Sequence, residues 1–159
     1  DIPATFVEKG QELLLINEAA EAREQFQQGV ELDDKLVEGW WGLGAASYML
    51  GQEEEARALQ GFGSKDKANA FYLEAAEAFQ RASQLKPGEH ALLYNLGTAY
   101  LALGQVEQGR AALEQFLRSE TDPTNDLVLR ARQLMEQYGA SGGAGCEGGG
   151  VGGGGSQSG

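Results

Sequence analysis

Residues 92–116, LLYNLGTAYLALGQVEQGRAALEQF, hold a complete helix, turn and helix, and the rest of the chain repeats or flanks that unit. Leu93, Leu96, Tyr100 and Leu103 recur every three or four positions, which places them on one face of an amphipathic helix. Gly97 sits inside that helix, where glycine costs about 1 kcal/mol relative to alanine, so a closely packed neighbour is expected there. Gly104 ends the helix, and a second begins near Val106 with Gly109, Ala112, Leu113 and Phe116 on one side. The pattern occurs again upstream: Phe6, Gly10, Leu13, Ala22 and Phe26 return in kind as Trp40, Gly44 and Ala56, with Gly10 and Gly44 34 residues apart. Self-similarity at a fixed period predicts stacked units, none of which can bury its apolar face alone.

A 34-residue helix-turn-helix period is the tetratricopeptide length, and the residues agree. WWGLGAASYMLG from Trp40 and LLYNLGTAYLALG from Leu92 resemble the first helix of that repeat. AAEAFQRASQLKP, residues 75–87, resembles the second, with Ala75, Phe79, Ala82 and Pro87 in the small, aromatic, small and proline slots. The resemblance implies an all-α domain over residues 3–138, a right-handed superhelix of three hairpins at about 3–35, 36–89 and 90–121, closed by a capping helix at 123–138. Asn17 is expected to close the first helix, and Asp122 to cap the last one with Pro123 in its first turn. Leu127, Ala131, Leu134, Met135 and Tyr138 make the apolar stripe of that last helix.

The second repeat departs from the period. Gly44 and Gly97 are 53 residues apart, 19 more than one repeat, so an insertion falls at about 52–70. Glu53, Glu54, Ala56, Arg57 and Leu59 favour helix, so the first helix is expected to continue to about Gln60. GFGSKD then reads as a glycine-broken turn, with Ser64 or Asp66 capping a second overlong helix from about Lys67. The pair would project as a tab; the alternative is a separate short helix at 53–60. Phe62, Phe71 and Tyr72 would ride on the insertion and pack against one another, and the run Glu53, Glu54, Glu55 would be solvated.

The balance of 24 acidic against 12 basic residues, a net charge of −12, repels nucleic-acid backbones and anionic membrane surfaces, so neither is an expected partner. No apolar run approaches the roughly 20 residues of a membrane span. The single cysteine, Cys146, makes no internal disulfide, which fits the cytoplasm. A periplasmic or membrane-anchored fragment is the alternative, because the chain starts at Asp1. Residues 139–159, GASGGAGCEGGGVGGGGSQSG, cannot bury enough apolar surface to offset their chain entropy and are expected to form a flexible tail or linker.

No catalytic or metal constellation is present in the sequence. The one histidine, His90, lies in a repeat junction and the one cysteine in the glycine tail, so no nucleophile and base can be paired, no four-ligand zinc site assembled, and no cofactor inferred. The resemblance points instead to a concave groove lined by the first helix of each repeat, a protein-interaction surface rather than an enzyme. Its expected lining is Val7, Gln11 and Leu14, then Trp41, Ala45, Tyr48 and Met49, then Tyr94, Thr98 and Leu101. Co-chaperone members of the family grip a peptide carboxylate with lysine, arginine and asparagine; the matching places here hold Val7, Gln11, Ala45, Ala91 and Asn95, so that clamp is not expected. A groove of rings and methyls suits an apolar or aromatic peptide segment or helix of a protein partner. Trp41, Tyr48 and Tyr94 are expected to share it, with Trp40 in the core. The rival readings are a self-assembly element, a homo-oligomer formed through groove, insertion or capping helix, and an accessory domain of a larger or membrane-anchored protein.

Overall fold

The computed structural model describes residues 1–142; the glycine-rich stretch beyond, with Cys146, lies outside the described residues. Seven helices follow one another: α1 (Ile2–Leu15), α2 (Ala19–Leu32), α3 (Val37–Leu59), α4 (Lys65–Leu85), α5 (Ala91–Ala102), α6 (Val106–Ser119) and α7 (Asp126–Gly142). They pair as the hairpins α1/α2, α3/α4 and α5/α6, each stacked on the next, with α7 against the last. Burial follows the same one-dimensional logic. One cluster centres on Phe26 and Val30, a second on Phe79 and Leu92, and a third on Leu113, Phe116 and Val128.

The hairpin turns share one device. At Asn17, Gly61 and Gly104 the backbone takes positive φ, 63°, 90° and 83°. In each case two N–H groups return to the helix just ended: Asn17 N to Leu14 O and Glu18 N to Leu13 O, Gly61 N to Ala58 O and Phe62 N to Arg57 O, Gly104 N to Leu101 O and Gln105 N to Tyr100 O. These paired bonds satisfy carbonyls that a helix end leaves free. Asn17 holds a conformation that costs a residue with a Cβ about 1 kcal/mol or more. Asn17→Gly is therefore expected to stabilise the chain by about 0.5–1 kcal/mol, read as a rise in urea midpoint.

Glycine has a different use inside the helices. A Cβ on Gly97 would lie 2.9 Å from Leu113 and 3.1 Å from the Gly109 carbonyl, and one on Gly109 would lie 2.7 Å from Leu101 and 3.0 Å from the Gly97 carbonyl. The backbones of α5 and α6 touch at this pair.

The insertion lengthens two helices. At about 1.5 Å per residue, the 23 residues of α3 span about 34 Å against about 18 Å for the 12 of α5, so α3 and α4 run on past their neighbours as a tab. Ser64 caps α4, its hydroxyl accepting from Lys67 N at 3.2 Å. The glutamate run is solvated only in part: Glu53 is exposed, but Glu54 and Glu55 are not. Glu54 is only 8% exposed and its Oε2 accepts the Ser64 N–H at 2.9 Å. Glu55 accepts from the Tyr72 hydroxyl and from Lys65 Nζ, both at 2.6 Å. The chain can fold back this tightly because Gly63 lacks a Cβ, which would sit 2.5 Å from the Glu54 carbonyl. Glu54→Ala is expected to lose about 1.5 kcal/mol and to speed amide exchange in the first turn of α4, measured by hydrogen exchange.

Three expectations need correction. Phe62, Phe71 and Tyr72 do not pack together: Phe62 is 75% exposed at the tip, Phe71 lies under Arg23 at 5.8 Å, and Tyr72 is buried against Gly51 and Tyr48. The last helix starts at Asp126, because Asn125 Oδ1 accepts from Leu127 N and Val128 N, while Asp122 spends its carboxylate on a turn with Thr124. That helix also continues through residues 139–142, which composition assigned to the tail; once its stripe is anchored, each added residue gains a backbone bond.

Candidate functional site

Helices α3, α5 and α7, with Tyr72 of α4, enclose a hollow of about 670 Å³. Tyr48, Gln52, Glu55 and Leu59 of α3 form one wall, Tyr94, Thr98 and Leu101 of α5 the floor, and Leu134 and Tyr138 of α7 the far side. Tyr48 and Tyr72 meet with ring centroids 5.4 Å apart and a 53° tilt. Tyr94 stands edge-on to the buried Phe116 at 5.8 Å, which is how a large ring fits where the repeat pattern holds a small residue. The rings are thus held by packing and present a fixed surface.

Two smaller hollows lie along the α1/α3 side. One, about 250 Å³, is lined by Gln11, Leu14, Phe26, Glu38, Trp41, Gly42 and Ala45. The other, about 200 Å³, is lined by Ala4, Val7, Glu8, Gln11, Leu36 and Glu38.

The ten residues expected to line one groove are therefore divided. Tyr48, Tyr94, Thr98 and Leu101 meet in the large hollow, Gln11, Leu14, Trp41 and Ala45 in the second, and Val7, itself buried, in the third with Gln11. Met49 is half-buried and lines none of the three. Trp41 does not share a hollow with Tyr48 and Tyr94. It lies two turns, about 10 Å, before Tyr48 along α3, and its ring packs beside Trp40 and Val37 on the cluster around Phe79. Trp40 is not sealed in the core either: half-buried, it donates its indole N–H to the Asp34 carbonyl at 2.8 Å and carries Arg81 over its ring at 5.2 Å. The lining missed in the sequence includes Gln52, Glu55 and Leu59 of α3, Tyr72 of α4, and Leu134 and Tyr138 of α7. The spacing of Tyr48, Gln52, Glu55 and Leu59, alternating four, three and four, was the signal for the first three, since it continues one face of α3 into the tab.

Two hydroxyls of this hollow, those of Tyr72 and Tyr48, resist ionisation. Burial, then the bond to Glu55, pushes Tyr72 well above its ordinary 10.0; burial, then the nearby Tyr94, raises Tyr48. The bonds from Lys65 and then Tyr72 hold Glu55 below the usual carboxylate range. A tyrosine raised in the folded state contributes stability that is complete below pH 10 and lost as pH climbs through the folded value. In an alkaline titration followed by tyrosinate absorbance, one class of tyrosine is expected to ionise only together with unfolding, and Tyr72→Phe to reduce its amplitude.

A family model described as tetratricopeptide repeat matches residues 72–137, from the middle of α4 to the end of the stripe on α7. That stretch is of tetratricopeptide repeat sequence, and the described chain as a whole has the tetratricopeptide fold. No curated protein matches the sequence significantly. Among solved structures, MamA is 22% identical with a TM-score of 0.70, over 89% of this chain and 68% of that one. The first tetratricopeptide domain of Spaghetti (RPAP3), bound to the HSP90 peptide SRMEEVD, is 16% identical with a TM-score of 0.66, over 87% and 94%. The Yersinia enterocolitica type III secretion translocator chaperone SycD is 15% identical with a TM-score of 0.66, over 88% and 93%. At these identities the likeness is one of fold, and it extends the repeat assignment to the α1/α2 and α3 part that the family model does not reach. The chain has no helix, among its described residues, long and apolar enough to cross a membrane.

Proposed function

We propose that the chain is a non-enzymatic binding module that holds an apolar or aromatic segment of a protein partner against the hollow between α3, α5 and α7. The observation that carries this reading is the hollow itself, about 670 Å³ with a tyrosine from each of three helices that belong to different units of the stack. Rigid rings with polar tips give contact area at little entropic cost and dominate binding hot spots. Burying an apolar segment there gains about 25 cal/mol per Å², less the cost of ordering it. Trp41, Leu14 and Ala45 would extend the contact toward the N-terminal repeat. The peptide on the Spaghetti domain is rich in acidic residues; here Val7, Gln11, Ala45, Ala91 and Asn95 offer no positive charge, so an acidic tail is not the ligand we propose.

Ala102→Arg tests the reading. Ala102 is half-buried on the last turn of α5 at the edge of the hollow, where a cation is tolerated by the helix end and a long side chain fills the entrance. Peptides selected from a random dodecapeptide display library on the wild-type chain are expected to bind this variant at least tenfold more weakly in fluorescence anisotropy, with the melting temperature within about 3 °C. Unchanged affinity would overturn the proposal. A second reading, self-assembly, draws on the tab, where Leu59 is 87% and Phe62 75% exposed. A dimer in light scattering that Phe62→Ser dissolves would favour it.

A further inference from the structure

We infer that the segment held in the groove is cationic at one end: a peptide with an apolar or aromatic anchor in the tyrosine hollow and lysine or arginine against Glu8 and Glu38. The inference rests on the groove reading above and adds the chemistry of the occupant. Its basis is an asymmetry of charge along the inner surface. None of the chain's 12 lysines and arginines lines any of the three hollows, whereas Glu8 and Glu38 face each other across the smallest one and Glu38 lines the next as well. Neither side chain is in an ion pair or a side-chain hydrogen bond within the described residues. The third carboxylate, Glu55 in the large hollow, is already met by Lys65 at 2.6 Å. The groove is therefore polar in the directional sense, aromatic and charge-compensated at the α5/α7 end, anionic and uncompensated at the α1/α3 end. Pairing of opposite charge across an interface sets register and speeds encounter.

The spacing follows from α3. Glu38 and Tyr48 are ten residues apart on that helix, about 15 Å at 1.5 Å per residue, which an extended chain covers in four or five residues. An occupant would thus carry its basic residues four or five positions from its apolar anchor.

The same dodecapeptide library tests this. Peptides selected on the wild-type chain are expected to show lysine or arginine at that distance from an aromatic or leucine. Synthetic copies are expected to lose about three- to tenfold in affinity on the Glu8→Gln/Glu38→Gln double variant, or when their basic residues become glutamine, and to weaken with added salt. Both glutamates are exposed, so this variant should melt with the wild type. Selected peptides that are neutral or acidic, and indifferent to the double variant but still blocked by Ala102→Arg, would overturn the inference and leave the groove reading standing. Peptides indifferent to Ala102→Arg as well, or no enrichment at all, would overturn both.

Discussion

Truncating Phe26 to alanine is expected to cost about 3–5 kcal/mol, toward the top of the range for large core aromatics. The ring is fully buried, and it is clasped by two glycines. A Cβ on Gly10 of α1 would lie 2.9 Å from its edge and one on Gly42 of α3 only 2.2 Å. Removal of the ring leaves a void whose two glycine sides offer no side chain to fill it, and a site that collapses poorly raises the cost at fixed chemistry. Urea unfolding should show a large drop in midpoint at unchanged slope, with Phe26→Leu recovering more than half. A loss below 1 kcal/mol would mean that the first and second hairpins are not joined through this ring.

Gly97→Val is expected to lose about 2–3 kcal/mol and to lower the melting temperature by roughly 4–12 °C. The added atoms meet the Gly109 carbonyl as well as Leu113, and a backbone group cannot rotate away as a side chain can. The part of the penalty that glycine normally carries inside a helix is recovered, about 0.5–1 kcal/mol, but the crossing has to widen. Tyr94, Thr98 and Leu101 ride on α5, so peptide affinity should fall with stability, and Gly97→Ala should show both effects in smaller measure. Equal stability of Gly97→Val and wild type would defeat the account of why glycine occurs at this point of the repeat.

Much of the architecture could be read before any coordinates because helical repeats write their contacts locally. The three- and four-residue spacing of Leu93, Leu96, Tyr100 and Leu103 gave a face that is half-buried, whereas α5 buries Leu92, Ala99 and Leu101 fully; Gly97 gave a close crossing and Gly104 a helix end. The tab was legible from its helix formers and from Ser64. What escaped was set by geometry between elements. Asp122 and Asn125 offer the same capping chemistry three residues apart, and only the way the loop turns through Thr124 decides between them. Glu54 looks solvated in any charge count; its burial comes from the chain doubling back over it at Gly63. For the candidate site, the inward face of each first helix was readable, but helices of unequal length do not bring equivalent positions level. Trp41 and Tyr48 occupy one face of α3 yet open onto different spaces.

The placement of α7 bears on how the large hollow behaves. This helix leans on α6 over a short contact and barely touches α5, so it is the element whose detachment costs least. Yet it supplies Leu134 and Tyr138, a whole side of the enclosure. A terminal helix fastened along one edge acts like a door leaf. The far side of the hollow is thus its least firmly fastened one, and the seating of Val128 and Ala131 on Leu113 and Phe116 is the latch that keeps the enclosure whole.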